Sequence, residues 1–139
     1  MKVTVGNERG ILIPYPEFIK LLEIPEEYLF RGMEQFGDNI SIHLLKKEEY
    51  QIQKNKLYSP SSESHHSLII SSNEFQSKLK TKYSRFRVFF CWKDQDKVTK
   101  SPFFNSAIAY AILTESPKLH LWIQEDVFTL PEQFKASED

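Results

Sequence analysis

The sequence contains little cysteine, little glycine and no long apolar run, and each shortage excludes a class of protein. A single cysteine, Cys91, excludes an internal disulfide and is compatible with a reducing compartment. Four glycines cannot easily build a glycine-rich phosphate loop or a serine elbow. No apolar run approaches the roughly 20 residues that span a bilayer, and "MKVTVGNERG" lacks the apolar stretch of a signal peptide. We therefore expect a cytoplasmic protein that does not associate with membranes.

The composition is sufficient for a packed core. The chain has 139 residues, of which 40% are hydrophobic and 14% aromatic, with 11 phenylalanines. A chain of this length buries roughly two-thirds of its unfolded surface and needs no metal or disulfide to hold it together. It forms either one domain or a small module followed by a slightly larger one.

Charge is distributed unevenly, although the net charge is only −1. Residues 78–100 contain eight basic and two acidic residues, a balance of +6, whereas residues 115–139 contain six acids and two lysines, a balance of −4. Two interpretations remain open. The two segments neutralise each other across the fold or face water, or the basic segment faces a polyanion, which salt-dependent binding would reveal.

The first part of the chain predicts a hairpin, a helix and further strands. "KVTV" and "GILI" flank a short linker, which is typical of a hairpin, and Pro14 and Pro16 end its second strand. Apolar residues then recur at helical spacing as far as Leu22. "EEYLFRGMEQF" is either a short helix closed by Gly37 or a strand followed by a turn at "FGDN". "ISIHLL" is typical of a strand with which "EYQIQ" could pair.

The second part predicts a β-α-β-α-β order, and the whole chain an α+β class. Its strands are "SLIISS", "RFRVFFCW" and "KLHLWIQ", and "KDQDKVTK" is expected to be a charged loop. Asn73 and Ser101 are the expected helix caps. The Ser-rich stretch 59–66 is the expected linker between a first module, residues 1–58, and a second, residues 67–139.

The first module resembles the AbrB-like swapped-hairpin DNA-binding family. The family pattern is a strand, a loop with glycine, a strand that ends in Ile-Pro, a short helix, Leu-x-Ile and two further strands. The matching residues are Val3, Val5, Gly10, Ile13, Pro14, Glu17 to Leu22, Ile24, Ile40 and Ile42. Two features differ from the family: Gly10 follows Arg9 rather than preceding it, and the region up to Lys54 has a balance of −2.

The resemblance implies a function as well as a fold. Members form intertwined homodimers and bind DNA through basic residues on strands and loops, and many are transcription regulators or antitoxins. Lys2 and Arg9 are the residues that would contact phosphate. A second basic stretch, "KTKYSRFRVFF", adds Arg85, Arg87 and the aromatic Tyr83, which the two-residue period of a strand places on one face. Arginine beside an aromatic suits nucleic acid, and it equally suits an ordinary solvent-facing strand edge.

No arrangement of reactive side chains is evident in the sequence. His43 and His120 lie on predicted strands, but the residues two places on, Leu45 and Trp122, cannot hold phosphate as the paired-histidine phosphoesterases require. His65 and His66 are expected in a mobile loop without a second ligand cluster.

Two further candidates also point away from catalysis. "DQD", with Asp94 and Asp96, lacks the glycine and distant glutamate of a calcium loop. Cys91, between apolar neighbours, is expected to have a raised pKa and to be inert. We expect no catalytic residue, no metal and no cofactor.

Three hypotheses follow from the sequence. The first is a non-enzymatic, dimeric regulator that binds DNA, with a second part that binds a protein or a small effector. The second is a small inhibitor that docks on a target protein, such as an immunity or anti-defence factor. The third is an enzyme with dispersed catalytic residues, whose first candidates are His43, His120 and Asp94.

Overall fold

The structure of the protein is a computed structural model that describes residues 2–5, 8–50, 52–53, 56–57, 65–83, 85–101 and 103–126. For residues 2–5, 8, 52–53 and 56–57 it describes the backbone alone. The strands are β1 Lys2–Val5, β2 Glu8–Pro14, β3 Tyr28–Phe36, β4 Asn39–Lys46, β5 Ile52–Gln53, β6 Lys56–Leu57, β7 His65–Ser71, β8 Phe86–Asp94, β9 Lys97–Ser101 and β10 Leu119–Glu125. The helices are α1 Tyr15–Leu21, α2 Ser72–Leu79 and α3 Ser106–Leu113. Antiparallel sheets combined with helices confirm the predicted α+β class.

The larger sheet has five strands in the order β1-β2-β10-β8-β9. Strands β10 and β8 are internal, which explains their nearly continuous apolar sequences. The charged loop predicted at "KDQDKVTK" is wrong, because Gln95 adopts φ +57° and turns the chain directly into the edge strand β9. As far as residue 126, where the description of the structure ends, the second part therefore contains one strand more than the predicted β-α-β-α-β order.

The smaller sheet has three strands in the order β3-β4-β7. Of the two interpretations of residues 28–36, the strand is correct, and Gly37, with φ +55°, turns it into β4. The predicted linker 59–66 is wrong at its end, because His65 and His66 belong to strand β7. They pair with Leu45 and Leu44 of β4. The rest of that linker lies outside the described residues.

Pairing between distant strands joins the two predicted modules. Strand β2 of the first module pairs with β10 of the second, and β4 pairs with β7. The five-stranded and the three-stranded sheet therefore each contain strands from both sides of the predicted module boundary. The expected pairing of "EYQIQ" with β4 is wrong, because Ile52–Gln53 pairs with Lys56–Leu57 instead.

The helix caps differ from those predicted. The hydroxyl of Ser71, not the side chain of Asn73, accepts the hydrogen bond from the Glu74 amide at 3.0 Å. In α3 the side chain of Asn105 accepts from the Ile108 amide at 3.0 Å, four residues beyond the predicted cap. No helix in the described ranges is long and apolar enough to cross a membrane.

The larger and the smaller sheet pack face to face through phenylalanine side chains. The ring of Phe30 in β3 lies 5.6 Å from that of Phe90 in β8, and Phe18 of α1 lies 5.0 Å from Phe30. Phe75 of α2 stacks on Phe86 at 4.6 Å, so helices and both sheets share one core.

A second, smaller apolar cluster lies on the opposite face of the larger sheet. Leu12, Cys91 and Trp122 form it, and Trp122 is fully buried. The indole N–H of Trp122 donates to the Gln124 side chain at 3.0 Å, which also accepts from Lys100 at 2.9 Å. Burial raises the pKa of the Cys91 thiol to about 12, in agreement with the inert cysteine expected from the sequence.

Candidate functional site

Charged side chains converge at one end of the larger sheet. Strands β2 and β8 both run antiparallel to β10, so the start of each lies beside the end of β10. Gln124 is opposite both Gly10 and Arg87 in the register. The next residues of the chain, Glu125 and Asp126, therefore lie between basic residues that are distant in sequence. We call Arg9, Arg85, Arg87, Glu125 and Asp126 the charged cluster.

Two predicted phosphate-binding residues of this cluster are paired with carboxylates. Arg9 Nη2 lies 3.1 Å from Glu125 Oε2, and Arg87 Nε lies 3.6 Å from Asp126 Oδ1. Both arginines are exposed, while both carboxylates are half-buried. Exposed pairs of this kind contribute only about 0.2–1 kcal/mol to stability, but they lower the positive potential that a polyanion would meet.

Arg85 and Tyr83 lie just before β8, which begins at Phe86. The alternation predicted from Tyr83 to Arg87 therefore starts later than expected, and Tyr83 packs against the main core instead of sharing the exposed face of Arg87. Burial raises the pKa of Tyr83, with Glu125 acting in the same direction and Arg9 opposing it. Tyr83 thus lies within electrostatic reach of the charged cluster.

Arg85 contributes its backbone to the same corner. Its carbonyl accepts a hydrogen bond of 2.9 Å from the Asp126 amide, which fixes the end of β10 against the start of β8. Lys2 lies in β1 opposite Ile11, and its side chain is outside the described part of the structure. The structure therefore brings Arg9, Tyr83, Arg85 and Arg87 to one end of the sheet.

A groove with a volume of about 980 Å³ adjoins the charged cluster. Its two sides are the β3–β4 turn region and the start of β8. The lining residues are Met33, Glu34, Gln35, Phe36, Gly37, Asp38, Arg85, Phe86, Arg87, Val88, Phe89 and Asp126. Three of these side chains are acidic and two are basic, so the groove does not present a positive field.

Phe36 is the most exposed apolar residue along this groove, with 60% of its surface accessible. It precedes the Gly37 turn, and Gln35 beside it accepts a hydrogen bond of 3.4 Å from the Phe86 amide. This contact ties the turn to β8 across the groove. The groove is therefore bordered by an aromatic side chain on one side and by paired charges on the other.

The residues considered for catalysis do not assemble. His43 in the smaller sheet lies 3.6 Å from Glu34, while His120 in the larger sheet contacts the carbonyl of Lys118 at 3.2 Å. Asp94 is paired with the Lys118 side chain at 3.5 Å. Within the described ranges, no three His, Cys, Asp or Glu side chains are placed so that they could hold one metal ion.

Sequence reasoning missed Phe36, Glu125 and Asp126 as parts of this site. The acidic balance of residues 115–139 was the available signal for the two carboxylates, but only the pairing of β10 with β2 and β8 assigns them to particular arginines. Comparisons with protein-family models, with curated protein sequences and with solved structures find no match to this chain.

Proposed function

We propose that this chain is a non-enzymatic, cytoplasmic binding protein that docks on another protein through the groove and the charged cluster. The observation that carries the proposal is the pairing of Arg9 with Glu125 and of Arg87 with Asp126 beside the exposed Phe36. Interfaces between proteins combine an aromatic or arginine anchor with a polar rim, and this surface offers both. The small-inhibitor hypothesis from the sequence is the form of binding protein that this surface supports best.

Electrostatics favour a protein partner over a nucleic acid. A duplex that approached the groove would meet Glu34, Asp38 and Asp126 as well as Arg85 and Arg87. Specific DNA-binding surfaces concentrate positive charge at the contact face, whereas a mixed field selects a partner of complementary pattern and raises its association rate.

A capture experiment with matched variants tests the proposal. The tagged chain is compared with a groove variant, Phe36→Ser with Arg87→Glu, and with a control variant, Phe103→Ser with Lys97→Glu. Phe103 is 76% exposed and Lys97 is exposed, so the control makes the same phenylalanine-to-serine change and the same reversal of charge away from the groove. We expect one protein, identified by mass spectrometry, to be retained by the wild type and the control and lost from the groove variant. Equal retention by all three forms would contradict the proposal.

A DNA-binding regulator is the second candidate function. What supports it is the order of elements, strand-strand-helix-strand-strand over residues 2–46, which agrees with the AbrB-like resemblance. This candidate predicts a homodimer, with twice the chain mass of 16.4 kDa in sedimentation equilibrium. It also predicts binding to duplex DNA that weakens steeply between about 50 and 200 mM salt. Duplex binding of that kind, lost in Arg9→Gln, would favour this candidate over a protein partner.

A further inference from the structure

Arg31 leaves the regular alternation of β3 at a β-bulge. The register of β3 against β4 shifts between Phe30 and Gly32, and Arg31 is the extra residue. Gly32 has φ +151°, a backbone conformation that residues other than glycine rarely adopt. Bulges redirect a side chain and are common beside functional sites. This bulge turns the half-buried Arg31 towards β7 and the segment that precedes α3.

The guanidinium of Arg31 is held by neutral groups. Its carbon lies 5.3 Å from the centroid of the Phe104 ring, and its Nη1 donates to Nδ1 of His65. In the part of the chain that the structure describes, no carboxylate forms an ion pair with Arg31. Its Nε is buried and has no hydrogen-bond partner among those residues. A half-buried cation with an unsatisfied donor is costly unless an acceptor or a counter-charge joins it.

Arg31 lines a pocket together with three of the four histidines of the chain. The pocket has a volume of about 280 Å³ and is lined by Arg31, His43, Leu44, His65, His66 and Ser67. Strand pairing explains the gathering, because His43 is opposite Ser67 and the histidines of β7 are opposite the end of β4. On the side of β3, Nε2 of His43 lies 3.6 Å from the Glu34 carboxylate.

The contact with Arg31 makes His65 an acceptor. Nη1 of Arg31 lies against Nδ1 and 3.4 Å from Nε2 of the same ring, and because a guanidinium can only donate, the imidazole that accepts from it is neutral. Burial, followed by the charge of Arg31 and the neighbouring His66, lowers the pKa of His65 and keeps it in this neutral form. The Tyr28 ring contacts His66 edge-on at 5.2 Å and restrains its position. The pocket is therefore lined by one arginine, three histidines and a serine.

We infer that this pocket binds a phosphate-type oxyanion, either free or as the monoester of a small molecule. Guanidinium and imidazole groups match the several oxygens of such a group, and an oxyanion supplies the missing counter-charge for Arg31. The pocket belongs to the smaller sheet and the charged cluster to the larger one, so this inference does not depend on the proposed protein partner.

Titration with inorganic phosphate, and separately with phosphoserine, tests the inference at constant ionic strength kept with sodium chloride. We expect the melting temperature to rise with phosphate and the imidazole resonances of His65 and His66 to shift in ¹H–¹⁵N spectra. Tighter binding of phosphoserine would assign the site to a monoester, and tighter binding of inorganic phosphate to the free oxyanion. Unmoved imidazole resonances would overturn the inference even if the melting temperature rose.

Two variants and a control make the test specific. Arg31→Met is expected to weaken phosphate binding roughly tenfold or more, the loss expected for a charge-assisted hydrogen bond. Lys97→Met removes the same charge from exposed strand β9 and should bind like the wild type. If Arg31→Met does not fold, Arg31→Lys keeps the charge but not the fork of donors and should still bind several-fold more weakly, on the order of fivefold. Equal binding by the arginine variants and the control would contradict the site.

Discussion

The indole ring of Trp122 lies against the backbone of Gly10 on the neighbouring strand. A Cβ atom at position 10 would stand 2.7 Å from Cζ2 of that ring and 2.5 Å from the carbonyl oxygen of Ile123. Neither neighbour can move freely, because Trp122 is fully buried and Ile123 belongs to the internal strand β10. Position 10 therefore requires glycine because there is no room for a Cβ atom, and not because of a turn in the backbone.

We predict that Gly10→Ala lowers the free energy of unfolding by about 1–3 kcal/mol, the cost of overpacking a well-filled site. Urea denaturation measures the change. Gly37→Ala is the comparison, since nothing lies within 4 Å of its Cβ position and only its φ of +55° is unfavourable, at about 1 kcal/mol. A smaller loss for Gly10→Ala than for Gly37→Ala would contradict the contact.

Tyr15 supplies a buried acceptor, because its hydroxyl accepts a hydrogen bond of 3.1 Å from the Phe30 amide. Tyr15→Phe leaves that amide without a partner and should cost about 1–3 kcal/mol near pH 8. Urea denaturation measures this loss, and Tyr110→Phe, at an exposed position, should change stability little.

The same tyrosine predicts a dependence on alkaline pH. Burial raises the pKa of Tyr15 from 10.0 to about 12. The pKa of Tyr15 is higher in the folded state than in the unfolded state, so protonated Tyr15 stabilises the fold. This stabilisation is fully present below pH 10 and is lost as the pH rises towards 12, to a total of roughly 3 kcal/mol. The stability gap between wild type and Tyr15→Phe should therefore narrow above pH 10. A gap that stays constant to pH 11 would contradict a tyrosine held protonated by the fold.

Cys91 should be unreactive in the native protein. With its pKa raised to about 12 by burial, almost no thiolate exists at pH 8, and the side chain is fully buried. We expect Ellman's reagent to react only as fast as the protein unfolds. Ser77→Cys, which adds an exposed thiol on α2, should react at once with one equivalent, and rapid reaction of the wild type would show that Cys91 is accessible.

The cap of α2 gives a direct comparison between sequence and structure. Ser71→Ala should cost about 1 kcal/mol, because it leaves the Glu74 amide without its acceptor, whereas Asn73→Ala should cost much less. Thermal or urea denaturation of the two variants decides between the residues. A larger loss for Asn73→Ala would restore the cap predicted from the sequence.

Local patterns predicted the elements well and their partners poorly. Strands β8 and β10 were predicted from "RFRVFFCW" and "KLHLWIQ", and a helix was predicted after Ser101. Cap positions were missed by two to four residues, since several polar residues near a helix start satisfy the same rule. The β-bulge at Arg31 was not predicted, because a bulge depends on the partner strand.

The candidate sites could be predicted only in part for the same reason. Arg9, Arg85 and Arg87 were selected as surface cations. The carboxylates that neutralise Arg9 and Arg87 are the last residue of β10 and the residue after it, and both are distant from these arginines in sequence. His65 was assigned to a loop, and its pairing beside Leu45 placed it next to Arg31. A charge pattern indicates which residues face outwards, whereas strand pairing decides what they face.

The position of β2 between β1 and β10 has a consequence for synthesis of the protein. Residues 8–14 find one of their two partner strands only when residues 119–125 have emerged from the ribosome. At ordinary elongation rates this interval is on the order of ten seconds. During it, the nascent chain exposes the apolar "ILI" segment and an unpaired strand edge, so completion of the larger sheet is a late, long-range event that favours slow folding and engagement by chaperones.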